Sequence, residues 1–492
     1  MNKSLRRIAT IVTVLFIAIM ASTTWIQFHE ANSLNNNGRN VRRLYREYGN
    51  HRGPIMAQGT TLAESVEVDS PFGFQRRYMG GDADQAQIFA PVTGFFSIAN
   101  GTTMIENTEN AFLNGQANAM WMERMQDLFM GRETQGASVE LTLNPAVQKA
   151  AWDALGGQRG AVVAVEPATG KILAMVSKPS FNPNDLAVLS TGQASSNFTD
   201  LVGADNDPLI NRTIGALYPP GSSFKLIPAA AALETGYLRN ADQSIPAPHR
   251  FTLPGTTHDL RNFGDHACSS TDEMSLHDAM VISCNTAFAS LGVELGGEAL
   301  RKQAQRFGFD DPFEVPMRSA SSSFPDADGF SPDRVALASI GQGDVTATPL
   351  QMAMVSAAIA NDGILMQPYL VDTVRDSTLD VIQQTSPKRL RQAVGSNTVS
   401  QLAAMMEDSV SGASGTATAA RIPGVRVAGK TGTAQAAAGD APHAWFTAFA
   451  PVDNPQIAVA VIVEHGGDMG SDATGGRVAA PVVASVIRAV LQ

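Results

Sequence analysis

Ser222 and Lys225 stand three residues apart in Pro219-Pro220-Gly221-Ser222-Ser223-Phe224-Lys225. Two prolines and a glycine stop the preceding structure and start a helix. Ser222 then lies at the helix N-terminus, with Lys225 one turn later on the same face. A serine hydroxyl needs a base to become a nucleophile. A lysine can be that base only when neutral, and its reference pKa is about 10.4. Burial and nearby positive charge must therefore lower it. The helix N-terminus favours negative charge developing at Ser222. Taken alone, the pair is common by chance and reads first as a helix cap beside a surface lysine. Ser223 competes as the cap, but its spacing puts it on a different face from Lys225.

Two further groups suit the same chemistry. Ser283-Cys284-Asn285 follows a capping pattern at Ser275 and Asp278 that opens a helix reaching Ile282. Another helix starts near Thr286, so Ser283 and Asn285 fall on a tight turn between the two. A hydroxyl there can relay a proton, and an amide can bond both a lysine and a peptide carbonyl. The third group is Ala428-Gly429-Lys430-Thr431-Gly432-Thr433-Ala434-Gln435. Gly432 permits close backbone approach along a strand. Lys430 supplies positive charge, and the Thr431 and Thr433 hydroxyls can bind a carboxylate. The N–H of Thr433 can pair with that of Ser222 as an oxyanion hole.

The three groups occur in this order, about 60 and about 150 residues apart, on a helix start, a helix turn and a strand. The set S-x-x-K, S-x-N and K-T-G resembles that of the penicillin-binding proteins, in particular the monofunctional class B type and its actinobacterial A group. Arg52-Gly53-Pro54-Ile55, the hairpin around Glu166–Lys171, Gly341-Gln342-Gly343 and His443-Ala444-Trp445-Phe446 extend the resemblance over the chain. It implies a D,D-transpeptidase that cross-links peptidoglycan in cell division and shape. Ser222 would attack the bond between two D-alanines, and an amine of a neighbouring stem peptide would resolve the acyl-enzyme. Lys225 would be the base and Ser283 the relay. Asn285, Lys430, Thr431, Gly432 and Thr433 would bind substrate. The stem peptides and their lipid-linked precursor would be partners, β-lactams inhibitors, and a membrane glycosyltransferase of the shape, elongation and division type an associate. No cofactor or metal is implied, and none of the eight histidines falls in H-E-x-x-H.

The elements that must position these residues are legible in outline. Ala161–Val165 and Ile172–Val176 read as a hairpin. The polar stretch from Ser190 to Asp207 reads as a mobile surface loop. A helical region runs from Phe224 to Gly236 and on through Ser275 to about Phe307. Pro228, three residues after Lys225, should perturb it. Thr348-Pro349 opens another helix. Strands return at Arg426–Ala434, Ala444–Ala450 and Ile457–Glu464, followed by a final helix from Val478 to Leu491. This pattern predicts an α+β fold with a sheet built from both ends of the domain. The resemblance makes it the fold shared by the penicillin-binding proteins and serine β-lactamases: a central antiparallel sheet, helices on both faces and an inserted all-α subdomain.

Upstream, Lys3, Arg6 and Arg7 precede an uncharged run from Ile8 to Phe28. That run can cross the roughly 30 Å hydrocarbon core as a helix, with the remainder outside the cytoplasm. A cleaved signal peptide is the rival. The expected divisions are a cytoplasmic tail (1–7), an anchor in the plasma membrane (8–28), a linker and non-catalytic accessory domain (29–140, with a helical stretch near Asn114–Met130) and the transpeptidase domain (141–492). Arg39, Arg42, Arg43 and Arg46 read as a solvated basic face. A net charge of −11 without a basic stripe argues against nucleic acid. Cys268 and Cys284 are either a disulfide, worth about 3 kcal/mol, or two buried thiols. A serine β-lactamase would need a base for water. Glu294, Glu298, Glu314 and Glu407 lie between the second and third motifs, none in an E-x-x-x-N setting.

Overall fold

The computed structural model describes residues 3–28, 48–131, 135–326, 331–436 and 439–492. The basic run from Arg39 to Arg46 and the linker expected before it lie outside the described residues. Helix Lys3–Phe28 is apolar and exposed, with a mean hydropathy of 2.0. Its length and composition suffice to cross a membrane.

The catalytic half is organised on a five-stranded antiparallel sheet. Its order is Ala428–Ala434, His443–Ala450, Ile457–Val463, Gly160–Val165 and Ile172–Lys178. Three strands come from the end of the chain and two from near residue 160, as the sequence pattern implies. Both faces are covered, so the central strands are apolar throughout rather than alternating. Along Ile457–Val463, Val459 and Val461 join the core formed with helices Pro145–Leu155 and Gly475–Leu491. Ala458 and Ala460 face the other way, towards helix Pro349–Ala360. Their small side chains admit that helix closely, and the Ser356 hydroxyl meets Thr447 Oγ1 at 2.6 Å. Thr348 caps the helix by accepting from the N–H of Gln351.

Helices Leu226–Glu234, Leu276–Val281, Asn285–Leu295 and Gly297–Arg306 form most of the inserted subdomain. The helical region is interrupted between them. Ser244–Pro246 pairs with Glu273–Ser275, and Arg250–Thr252 with Asp259–Arg261. Pro246, Pro248 and Pro254-Gly255 exclude a helix there. The loop expected from Ser190 to Asp207 is largely helix Thr191–Val202. Ser190 caps it, and Ala194, Phe198 and Leu201 give it an inward stripe despite its polar composition. Helix Ser396–Ser411 was not anticipated.

A second sheet ties the accessory region to the catalytic half. Its order is Val381–Gln384, Val371–Arg375, Ser138–Leu141, Ile55–Ala57, Thr60–Glu67 and Phe74–Tyr78. The boundary expected at residue 140 falls inside one of these strands. Helix Trp121–Met130 occupies part of the stretch expected to be helical.

Buried charge pins the accessory side of this sheet. Arg52 Nε and Arg76 Nε each lie 2.6 Å from a Glu106 carboxylate oxygen, and the Tyr78 hydroxyl donates to Glu106 at 3.0 Å. Burial alone would raise the Glu106 pKa, but Arg76 and Arg52 outweigh it and hold it below the usual value. Gly53 is required beside them, because a Cβ there would lie 2.0 Å from the Ala137 carbonyl oxygen. Glu106→Ala leaves two guanidinium groups buried without their carboxylate. It should cost about 3–5 kcal/mol in denaturant unfolding, whereas Glu64→Ala on the neighbouring strand should change little.

Candidate active site

The segment that delivers Ser222 is fixed before the helix begins. Tyr218 exchanges backbone hydrogen bonds with Ala347, and the Trp445 indole N–H donates to the Pro219 carbonyl at 3.0 Å. The Tyr218 hydroxyl donates at 2.6 Å to Glu464, which also binds Arg212 at 2.9 Å and Arg159. Gly221 donates to the Gly341 carbonyl at 2.9 Å. At Gly341 φ is +70°, and a Cβ would sit 2.2 Å from Gly221 O. Gly341 therefore has a steric reason to be glycine. Sequence reading had recorded Gly341-Gln342-Gly343 but not its use, and it missed Tyr218 and Glu464.

Gly221–Lys225 is a tight 3-10 turn that runs into helix Leu226–Glu234. Pro228 occupies the first turn of that α-helix, where a missing N–H is tolerated best. The expected perturbation thus takes the form of a 3-10 lead-in. Ser222 is half-buried, and Lys225 is wholly buried.

Lys225 Nζ donates to the Ser283 carbonyl at 2.8 Å and to Asn285 Oδ1 at 2.7 Å, with Ser283 Oγ at 3.3 Å. Lys430 Nζ reaches the same Ser283 Oγ from the strand side, at 2.8 Å, and donates to Thr431 O at 3.1 Å. One serine oxygen thus stands between two buried amines. When Lys225 is neutral, its lone pair can accept from that hydroxyl, so the site can pass a proton between groups.

Ser283 holds this place in a left-handed conformation, φ +63°, uncommon for a residue with a Cβ. Its turn is held from outside. Cys284, at the N-cap of helix Asn285–Leu295, provides no side-chain cap. Asn262 does so instead: its Oδ1 accepts from the N–H groups of Asn285 at 2.9 Å and Thr286 at 3.0 Å. Asn285 Nδ2 donates to Arg261 O at 3.1 Å, and Cys268 and Cys284 are joined by a disulfide with their Cα atoms 6.0 Å apart. Of the two readings left open for the cysteines, the structure has the bridge. Asn262 was missed, because an asparagine on a distant hairpin carries no local sign that it caps another element.

Lys430 lies on an edge strand of the main sheet. At Gly432 a Cβ would lie 2.9 Å from Pro220 O and 3.2 Å from the Ser223 nitrogen. Glycine therefore lets this strand lie against the turn that carries Ser222. A Cβ on Gly221 would meet Thr433 O at 2.6 Å, so Thr433 is beside the turn too. Thr433 is half-buried; Thr431 is buried, its hydroxyl 2.9 Å from that of Thr416. The eight residues expected at the site therefore lie on three neighbouring segments: the turn Gly221–Lys225, the turn at Ser283–Asn285 and the strand Ala428–Ala434.

Burial lowers both lysine pKa values. Lys225 is held well below its ordinary value by desolvation and then by the charge of Lys430, and desolvation takes Lys430 down to about 7. The unfolded chain binds more protons between those folded values and about 10.4. The associated stability is present above the unfolded pKa and is lost as pH falls through the folded one. Lys430→Met should therefore raise the melting temperature at pH 7.5 by ~2–4 °C, equivalent to about 1 kcal/mol. Melting curves at pH 10 should show that gain shrinking.

The chain matches two family models: the penicillin binding protein transpeptidase domain over residues 160–488, and the penicillin binding protein A dimerisation domain over residues 52–139. It is 43% identical to the peptidoglycan D,D-transpeptidase PbpA of Mycolicibacterium smegmatis, over 100% of this chain and 99% of that protein. The Mycobacterium tuberculosis protein of the same name is also 43% identical, with the same coverage. The ceftriaxone acyl-enzyme structure of penicillin-binding protein A from M. tuberculosis superposes with a TM-score of 0.86 at 41% identity. It covers 91% of this chain and all of that one. A D,D-transpeptidase domain from Eggerthella lenta gives 0.77 at 33% identity, covering 90% and 98%. The chain belongs to the penicillin-binding protein transpeptidase family.

Proposed function

We propose that the protein is a peptidoglycan D,D-transpeptidase that cross-links stem peptides through an acyl-serine intermediate and is acylated by penicillin. The observation that carries this reading is the Ser283 hydroxyl shared by Lys430 and by Lys225, which follows Ser222 by one turn. Neutral Lys225 takes the Ser222 proton as the hydroxyl attacks the carbonyl between two D-alanines. The N–H groups of Ser222 and Thr433 receive the developing oxyanion. Ser283 passes the proton to the departing D-alanine. Asn285 holds Lys225 and the peptide backbone, and Lys430, Thr431 and Thr433 hold the terminal carboxylate along the strand that Gly432 brings close. An amine from a second stem peptide then resolves the ester.

Among the candidate water-activating glutamates, Glu407 binds Arg426 and Glu298 binds Lys302, while Glu294 and Glu314 are exposed. The apolar N-terminal helix supports a single-pass plasma-membrane anchor at 8–28, with residues 1–7 cytoplasmic. The accessory region would then span 29–140 and the catalytic domain 141–492 on the outer side. The lipid-linked precursor reaches such an enzyme from the membrane surface. A role in division and shape beside a membrane glycosyltransferase of the shape, elongation and division type follows from the family resemblance.

Intact-protein mass after mixing with benzylpenicillin tests the chemistry. Wild type should gain one penicillin mass, and Ser222→Ala none. Consumption of the drug without a persistent adduct would replace the reading with a β-lactamase. Acylation needs Lys225 neutral and Lys430 charged. The second-order rate should therefore rise with pH on the acid side and fall above about pH 7 as Lys430 loses its proton. A rate that climbs without a maximum to pH 10 would contradict that assignment.

A further inference from the structure

Thr431 is assigned above to the substrate carboxylate, yet its hydroxyl already has a neighbour. Thr416 Oγ1 lies 2.9 Å away, on the link between helix Ser396–Ser411 and the Ala428–Ala434 strand. A hydroxyl carries one proton and two lone pairs. If Thr431 donates to Thr416, that proton is spent and cannot reach a carboxylate. If Thr416 donates to Thr431, the Thr431 proton is free to point at the ligand, and the two bonds polarise each other in one direction. A carboxylate is the stronger acceptor, so its arrival selects the second arrangement.

The Thr416 side chain is offered to Thr431 by a backbone with little freedom. Ala417 donates to Ser409 O at 2.9 Å, folding the link back on the preceding helix, and Gly415 donates to Gly412 O at 3.1 Å. A Cβ on Gly415 would lie 2.3 Å from Ser409 O. On the other side, a Cβ on Gly476, at the start of helix Gly475–Leu491, would lie 2.2 Å from Thr416 O and 3.6 Å from Thr431 Cγ2. Two glycines thus let two helices close on the Thr416 backbone and hold its hydroxyl at the strand.

We infer that Thr416 is a positioning residue for carboxylate recognition: it donates to Thr431 and so orients the Thr431 hydroxyl towards the terminal carboxylate of the stem peptide or β-lactam. Among the described residues its hydroxyl is hydrogen-bonded to Thr431 and not to Ser222, Lys225 or Lys430, so it acts on ligand capture rather than on the acylation step. The inference rests on the transpeptidase reading and on the role given there to Thr431.

The test separates the pre-covalent dissociation constant of benzylpenicillin from the acylation rate constant, using the full-length protein in detergent. Thr416→Val keeps the shape and removes the donor. It should weaken capture about tenfold, the upper range for one net hydrogen bond, with the acylation constant within twofold of wild type. Thr416→Ser should restore capture. Melting temperatures are read in parallel. Unchanged capture in the valine variant overturns the inference. So does a fall in both constants together with the melting temperature, because the residue would then be structural. Failure of wild type to form the Ser222 adduct would instead sink the transpeptidase reading itself, a result visible before any Thr416 variant is made.

Discussion

Two amines buried within reach of one hydroxyl are an unfavourable arrangement, and the rest of the catalytic half exists to maintain it. Lys225 and Lys430 have been taken out of water and set on either side of Ser283 Oγ. Solvation and mutual repulsion both oppose two ammonium charges there, so one amine is driven towards neutrality. That neutrality makes a lysine able to serve as a base near physiological pH. It lasts only while backbone and side chains hold the amines together. The left-handed Ser283 turn, the cap from Asn262 and the disulfide all brace the side that carries Ser283 and Asn285.

The opposite side is braced by sheet geometry. The edge strand carrying Lys430 is paired residue by residue with His443–Ala450, whose Trp445 reaches over to the Pro219 carbonyl. The strand that positions the second lysine therefore also fixes the approach to Ser222. Glu464, at the end of the next strand, receives Tyr218, Arg212 and Arg159 and secures the same approach from below. Glycines at 221, 341 and 432 are the points at which these pieces come closer than any side chain would allow.

The chemistry was more legible in the sequence than its supports were. Ser222, Lys225, Ser283, Asn285 and Lys430 sit in short motifs whose spacing implies their elements, and the central strands announce themselves as apolar runs. Asn262, Tyr218, Glu464 and Thr416 act across long stretches of chain on partners that no local pattern identifies. Composition misled at Ser190–Asp207, where a polar surface hid three inward residues at helical spacing. The helical region expected to run on from Gly236 overlooked the prolines between 246 and 254, which break it. Arg52-Gly53-Pro54-Ile55 was recognisable as a motif, yet only the structure explains it: Arg52 answers a buried carboxylate, and Gly53 clears a carbonyl.

The mixed six-stranded sheet bears on how this protein can be recombined. Val371–Arg375 and Val381–Gln384, from deep within the catalytic sequence, continue the same ladder as Ile55–Ala57 and Thr60–Glu67 through the shared strand Ser138–Leu141. A graft cut at any single point near residue 140 would strip hydrogen-bonding partners from both sides and expose two new sheet edges. Chimaeras with other members of the family would therefore have to exchange discontinuous segments, taking the 371–384 hairpin along with the N-terminal strands. The two regions are inherited as one mechanical piece, although they read as two names along the chain.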